Sequence, residues 1–145
     1  MADELCIKVV STCPPKWNGI PFLFEQWKLG QDVTYLHSFD IGLMPLNDTE
    51  RSRGRCAFKA IQYMAVGLPV VASPIGAASE VIVHGETGFL ATSIEEWVEY
   101  LSLLVKNKPL QTKMGKAGRA RVERLYSIQA NAPKLASLLR EVALL

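Results

Sequence analysis

Apolar runs alternate with amphipathic segments along most of the chain. Short runs rich in β-branched residues are typical of buried parallel strands, and apolar residues three or four positions apart are typical of helices. Strands are predicted at residues 5–11, 20–24, 39–46, 70–73 and 89–91, and helices at 32–38, 56–66 and 76–82. This order predicts an α/β fold, a parallel sheet with helices on both faces, followed by a C-terminal helical segment.

The helix that precedes Gly67 is defined by its apolar spacing and by its end. Phe58, Ile61 and Ala65 share one face at a helical period. Gly67 supplies the left-handed residue that ends a helix, and Pro69 prevents continuation. We therefore expect this face to pack on the sheet.

Three helices form the C-terminal segment, and the first begins with a capping box. Either Thr92 with Glu95 or Ser93 with Glu96 has the required spacing. The apolar stripe of this helix consists of Ile94, Trp97, Val98, Leu101, Leu104 and Val105.

The two remaining helices have starting signals of their own. Pro109 begins the first of them, which ends near Tyr126, and Asn131 is expected to cap the last. The inward face of the last helix is predicted to be Leu135, Leu138, Leu139 and Val142.

Composition narrows the class of protein. The 145 residues are 49% hydrophobic and 21% charged, which excludes a disordered chain and is enough for one domain with a core. Sixteen basic and 14 acidic residues leave a net charge of +2, so no nucleic acid is expected and membrane contact is at most peripheral. Cys6, Cys13 and Cys56 are not spaced like metal ligands and indicate reduced thiols. The first residues lack the basic segment that is typical of a secretory signal. We expect a cytoplasmic protein without a metal site.

Two loops leave the sheet edge at which open parallel folds bind ligands, at residues 47–55 and 73–77. Each enters a helix, whose free N–H groups and positive dipole end favour an anion. Three arginines in the first loop add donors suited to phosphate, namely Arg51, Arg53 and Arg55. A solvated loop whose arginines offset Asp48 and Glu50 explains the same composition.

Other chemical signals are weak. The chain has no GxGxxG, GxxxxGK[ST], GxSxG or HExxH motif. His37 and His84 are isolated and are expected to be structural or exposed. One helix is rich in basic residues, Lys113, Lys116, Arg119, Arg121 and Arg124. Its basic face is either solvated or directed at an anionic membrane surface.

Residues 54–73, with the sequence GRCAFKAIQYMAVGLPVVAS, strongly resemble the group 1 (family 4) glycosyltransferases of GT-B fold. The likeness continues at residues 76–82, 84–90, 95–97 and 114–127, and FDIGLMPL at 39–46 fits the strand before the nucleotide loop. Enzymes of this family have two Rossmann-like halves, and the C-terminal half binds a nucleotide diphosphate sugar. The resemblance implies that residues 1–145 form one truncated Rossmann-like domain of this kind. Neither a covalent cofactor nor an obligatory metal is implied.

The family pattern also assigns residues, and here the chain departs from it. Two family glutamates, which contact the donor sugar and the ribose, fall on Gly54 and Gln62. Gln62 can still accept a ribose hydroxyl through its amide oxygen, whereas Gly54 offers only a backbone N–H. Similar members share a G[KR]C-x-FK-x-x-QYMA pattern, so the departures indicate either a variant site or lost activity.

The remaining site residues follow from the loops and the resemblance together. Ser52, Arg53, Arg55 and Lys59 are expected around the diphosphate, Gln26 and Trp27 near the base, and Gly76 where the backbone approaches the ligand. Glu80 is explained equally by helix capping and by sugar contact. The catalytic residue is not identified by the pattern.

Two functions of different class remain open. The first is the donor-binding half of a retaining glycosyltransferase, inactive without a separate acceptor-binding domain. The second is a non-catalytic nucleotide-binding or interaction module. In the family the last helix packs on the other half. The apolar stripe of this helix, extended by Leu145, is therefore expected to be uncovered. A strand edge near residues 5–11 is also expected to be uncovered. We therefore also expect a homodimer.

Overall fold

The strands are short, parallel and arranged in two hydrogen-bonded sheets. The computed structural model describes residues 5–143. One sheet pairs β1 (Lys8–Ser11) with β2 (Leu23–Gln26), and the other has the order β3 (Gly42–Met44), β4 (Val70–Ala72), β5 (Gly88–Leu90). The parallel arrangement confirms the predicted fold class. In the described part of the chain, the strands divide into two sheets where one was expected.

The second strand is displaced from its predicted position. It was expected at residues 20–24 and begins at Leu23, whose N–H donates to the carbonyl of Ile7 at 2.8 Å. Pro21 has no N–H to contribute to a ladder, so pairing starts after it. All four residues of β2 are exposed.

Seven helices accompany the strands in the described residues. They are α1 (Asp32–Leu36), α2 (Glu50–Arg53), α3 (Phe58–Ala65), α4 (Ala78–Val81), α5 (Ile94–Lys106), α6 (Lys108–Leu125) and α7 (Ile128–Ala143). α2 lies where a loop was predicted. It is a single turn, capped by Thr49, whose hydroxyl accepts the N–H of Ser52 at 3.2 Å. Four residues are too few to give a periodic signal.

The core is built on both faces of β4. Val70, Val71 and Ala72 have no solvent exposure. Val70 and Ala72 belong to a cluster with residues of α3, and Val71 belongs to a second cluster with residues of α5 and α6. Successive strand residues point to opposite faces, so helices cover the sheet on both sides as predicted.

The buried face of α3 differs from the predicted one. Phe58 is 59% exposed, and the side chains that reach the core are Ala60 and Met64, with Ile61 and Ala65 partly buried at its margin. The helix lies close to α6, where Gly118 would bring a Cβ to 3.2 Å from the Met64 Cγ. Such a close approach selects small and flexible side chains, a preference that the spacing of large residues does not reveal.

The predicted capping box of α5 is present in one of its two registers. Ser93 accepts the N–H of Glu96, and the Glu96 carboxylate accepts the N–H of Ser93. The predicted apolar stripe is only partly inward. Leu104 is buried and Trp97 and Leu101 pack on the second cluster, but Ile94 and Val98 are exposed.

Two arginines of α6 contact the ends of neighbouring helices. Arg119 donates to the carbonyl of Ala65 at the end of α3, and Arg121 donates to the carbonyls of Glu80 and Val81 in α4, at 2.7 and 2.9 Å. These bonds satisfy carbonyls that a helix end leaves free. Part of the basic helix is therefore structural, a role that its charge pattern alone did not predict.

The prediction for α7 was wrong in its start, and its apolar stripe is uncovered, as the resemblance implied, and does not face inward. Ser127 accepts the N–H of Ala130, while Asn131 lies inside the helix and donates to the carbonyls of Leu125 and Ser127. The helix has no buried residue, and its apolar side chains Leu135, Leu138, Leu139 and Val142 are 57–60% exposed. Leu145 lies outside the described residues. Among the helices described, none combines the length and the apolar character needed to cross a membrane.

Candidate functional site

The loops that follow β3 and β4 lie side by side at the carboxyl edge of the second sheet. The N–H of Leu46 donates to the Ser73 hydroxyl at 3.0 Å, and the N–H of Ser73 donates to the carbonyl of Met44 at 3.2 Å. The two predicted anion loops, residues 47–55 and 73–77, therefore begin next to each other. This is the edge at which open parallel sheets bind ligands.

Gly76 packs the second loop onto the backbone of the first. A Cβ at this position would lie 2.7 Å from the carbonyl oxygen of Arg53, 3.0 Å from that of Ser52 and 3.1 Å from that of Arg55. Gly76 also has a left-handed φ of 59°, which a side chain would disfavour. The close backbone approach expected at Gly76 is thus made to the chain itself, and it fixes the path of residues 52–55.

The fixed segment leads directly into the N-terminus of α3. The N-cap residue is Ala57, which is 4% exposed and adopts the left-handed conformation with φ 53° and ψ 32°. No side chain of the described residues caps this helix end. The N–H groups of its first turn and the positive end of the helix dipole are therefore available to an anion.

The basic side chains of this region differ in their partners. Arg53 donates from Nε and Nη2 to the two carboxylate oxygens of Asp48, at 2.7 and 2.9 Å. The hydrogen bond to Arg53 lowers the pKa of Asp48, and the same bond raises the pKa of Arg53. Arg55 and Lys59 are exposed and make no side-chain hydrogen bond or ion pair within residues 5–143.

Gln62 presents a buried acceptor. Its Oε1 has no hydrogen-bond partner in the described part of the chain. An unpartnered buried carbonyl costs about 1–3 kcal/mol. A donor supplied by a ligand would reach this buried oxygen only after the Gln62 side chain rotates. Gln62 lies in the second turn of α3, on the helix whose N-terminus is uncapped.

Gln26 and Trp27 lie at the carboxyl end of β2, in the other sheet. The Tyr35 hydroxyl donates to the carbonyl of Gln26 at 3.1 Å, and the Trp27 indole donates to Asp32 at 3.0 Å. No hydrogen bond among the described residues connects this pair to the loops at 47–55 and 73–77. Ser52 to Lys59, Gln62 and Gly76 thus belong to the two loops and the helix that follows them, whereas Gln26 and Trp27 lie at the carboxyl end of a strand in the other sheet.

Glu80 does not act as a cap. α4 begins after Ala77 without a side-chain capping bond, and the Glu80 side chain is exposed in its first turn. Its charge still complements the helix dipole. Sequence reasoning allowed the loop arginines to offset Asp48 without assigning Arg53 as its partner. It missed the left-handed Ala57, which belongs to no spacing pattern.

The sequence profile described as Glycosyl transferases group 1 matches residues 18–107, which is more than half of the chain. The chain belongs to this family. A search of proteins with curated functions found no significant match.

Solved structures of group 1 glycosyltransferases and related enzymes share the fold. The C-terminal domain of the group 1 protein LpcC from Francisella tularensis is 22% identical with a TM-score of 0.61, and the match covers 74% of this chain and 54% of that one. Sucrose-phosphate synthase from Thermosynechococcus elongatus is 21% identical with a TM-score of 0.68, covering 83% and 30%. Anabaena Alr3699/HepE, solved in complex with UDP and glucose, is 19% identical with a TM-score of 0.68, covering 82% and 32%.

These likenesses confirm the GT-B Rossmann-like fold inferred from the motifs. The chain spans 54% of the LpcC domain and about a third of the other two proteins. At this level of identity the comparison describes architecture.

The contact made by Gly76 can be tested against a matched glycine. Gly85 has a left-handed φ of 79°, and a Cβ added to it would meet no atom within 4 Å, so Gly85→Ala should cost only the left-handed strain, about 1–2 kcal/mol. Gly76→Ala adds the clash with the Arg53 carbonyl and should cost about 1–3 kcal/mol more. Urea unfolding of both variants measures the difference. Equal losses would show that the loops are not tightly packed at Gly76.

Proposed function

We propose that the chain binds a nucleotide diphosphate sugar as the donor half of a retaining glycosyltransferase. The observation that carries the proposal is the Gly76 contact, since it holds residues 52–55 beside the uncapped N-terminus of α3. Arg55 lies in this segment and Lys59 in the first turn of α3, and neither side chain has a hydrogen-bond or ion-pair partner among residues 5–143. Family membership supports the donor class, as does the UDP complex of the HepE relative.

In this proposal the protein contributes electrostatic stabilisation. The leaving diphosphate gains negative charge as the glycosidic bond breaks, and the N–H groups around Gly54 together with Arg53, Arg55 and Lys59 offset it. Gln62 accepts a ribose hydroxyl at Oε1 once rotation of its side chain exposes this oxygen, which has no partner among the described residues. Backbone groups of Gln26 and Trp27 contact the base, which requires the first sheet to face the loops. The donor is a substrate, and the proposal includes no covalent cofactor and no metal ion.

A non-catalytic nucleotide-binding module is the second candidate. It is favoured by the lack of a carboxylate at Gly54 and Gln62, where family members carry glutamates. Gly54 has room for a side chain, because a Cβ there would meet no atom closer than 3.8 Å. Binding and turnover therefore have to be measured separately.

Ligand binding should raise the melting temperature. A nucleotide or nucleotide sugar (UDP, GDP, ADP or their sugars) at about 100 times its dissociation constant should stabilise the folded protein by roughly 2.7 kcal/mol.

Arg55→Ala should weaken binding by about 1.5–3 kcal/mol with little effect on the stability of the unliganded protein, since the side chain makes no hydrogen bond or ion pair in the described chain. Arg124→Ala, an exposed charge on α6, serves as the control and should leave binding nearly unchanged.

Absence of a thermal shift with all of these nucleotides would remove the donor-binding proposal. Parallel losses of stability and affinity in Arg55→Ala would instead assign Arg55 a structural role.

The polypeptide of residues 1–145 should transfer no sugar by itself. Holding donor and acceptor together contributes about 7–11 kcal/mol of barrier reduction in favourable cases, and these residues supply the donor side only. Activity is expected when a separate acceptor-binding domain is added. The assay is transfer from radiolabelled nucleotide sugars to a mixed lipid and oligosaccharide pool. Turnover of about 1 s⁻¹ or more without a partner would contradict this expectation.

The proposed compartment is the cytoplasm. Cys6, Cys13 and Cys56 are all free and exposed, which suits a reducing environment.

We also propose that the chain pairs with a second copy through α7. The side chains of its apolar stripe are more than half exposed. Lys134 and Glu141, which carry opposite charges, flank this stripe. When two α7 helices run antiparallel with Leu135 beside the partner's Leu138, Lys134 lies within one helical turn of the partner's Glu141. The two-fold axis forms this ion pair twice.

Light scattering at about 50 µM should then give twice the 16.0 kDa monomer mass. Lys134→Glu should dissociate the dimer, because it places like charges together, and Lys134→Glu with Glu141→Lys should restore it. A monomer at this concentration would exclude the pairing. A dimer insensitive to both charge changes would place the interface elsewhere, for example at the exposed strand β2.

A further inference from the structure

Asp48 and Arg53 form the ion pair at the candidate site with both carboxylate oxygens engaged. The Arg53 Nε–H and one Nη2–H donate to Asp48 at 2.7 and 2.9 Å. Asp48 precedes the N-cap of α2 and Arg53 is the last residue of that helix. The side chain of Arg53 is thus folded back along its own helical turn, and its direction is set by the carboxylate.

This geometry leaves part of the guanidinium free. Arginine carries five N–H donors in a rigid planar fork. The bidentate contact uses two of them along one side, so both Nη1–H groups and one Nη2–H remain. These donors form the end of the fork, an edge that also matches two oxygens of a phosphate. An arginine held in this way can bind a carboxylate and a phosphate at the same time.

The backbone of Arg53 is fixed as well. Its carbonyl lies against Gly76, and the N–H of Gly54, the next residue, donates to the carbonyl of Glu50 at 3.2 Å. The backbone of Arg53 is held by the second loop, and its side chain is bonded to Asp48 although both side chains are more than half exposed, at 66% and 58%. Ordering a long side chain on binding lowers affinity about two- to tenfold, and a contact already made in the unliganded protein reduces that loss.

We propose that Asp48 is a positioning residue, which holds Arg53 so that the free edge of its guanidinium binds the diphosphate of the donor. This inference rests on the proposed donor binding. Asp48 itself does not contact the ligand. Its negative charge alone would repel an anion, so its two effects have opposite signs and can be separated.

Glu50 provides the matched control. It lies two residues away, is exposed, and makes no side-chain hydrogen bond or ion pair within the described residues. Asp48→Asn and Glu50→Gln each remove one negative charge from the same loop. The change in local charge is therefore alike in the two variants, and only Asp48→Asn releases the fork of Arg53.

The experiment is calorimetric titration of both variants and the wild type with UDP and with inorganic pyrophosphate, at pH 7 and low salt. Asp48→Asn should weaken binding about two- to tenfold, the range that corresponds to ordering one long side chain. Glu50→Gln should bind equally or slightly more tightly. In an Arg53→Lys background, which keeps the charge but removes the fork, Asp48→Asn should no longer weaken binding.

Three results would overturn the proposal. Equal or tighter binding by Asp48→Asn would show that Asp48 acts only as a repelling charge or withholds Arg53 from the ligand. Weakening that persists in the Arg53→Lys background would show that Asp48 acts through another group. Wild-type protein that binds neither UDP nor pyrophosphate would remove donor binding itself and the positioning role with it, a result distinct from the first two.

Discussion

Strand β4 is the element on which the rest of the domain depends. It is a three-residue strand without solvent exposure, paired on both sides and packed on both faces, so each of its backbone and side-chain groups is used inside the protein. Its final position also determines where chemistry can occur. Ser73 follows it directly and binds the backbone of the neighbouring loop, which brings the two loops to one edge. Ser73 therefore links the end of the central strand to the site.

The helices that surround this strand are satisfied unequally at their two ends. Arg119 and Arg121 of α6 close the carbonyl ends of α3 and α4, using charge-assisted bonds from one helix to two others. The amide end of α3 receives no such closure from the described side chains. The negative ends of the α3 and α4 dipoles are thus bound by arginines, whereas the positive end of α3 has no side-chain partner among the described residues. The amide end of α3 is the feature on which the proposed donor binding depends.

The sequence predicted the parts of the structure that depend on periodicity or on a strong local signal. The parallel strands, the Ser93–Glu96 capping box and the stop at Gly67, which has a φ of 78°, are of this kind. The family motifs added the Rossmann-like assignment, which spacing alone could not distinguish from other α/β folds.

The differences from prediction have two physical causes, packing between distant segments and short local contacts that give no periodic signal. The inward face of α3 follows from close contact with α6, whereas the uncovered α7 stripe agrees with the expectation drawn from the family. At the site, the sequence identified the arginine-rich loop and allowed its arginines to offset Asp48, but it did not assign the pair. The pairing of Arg53 with Asp48 depends on the one-turn helix α2, which is too short to produce a periodic pattern.

The left-handed residue before α3 has a consequence for how this protein can vary. Ala57 is buried, so its methyl group fills space in the core, while its φ of 53° is strained for any side chain. Asparagine and aspartate tolerate this conformation better than most residues, but their polar groups would be buried here. β-Branched residues are excluded by the backbone. Glycine relieves the strain at the loss of a methyl contact, and alanine keeps the contact. Alanine and glycine are therefore the residues best suited to this junction, and changes in the preceding loop have to preserve its backbone conformation.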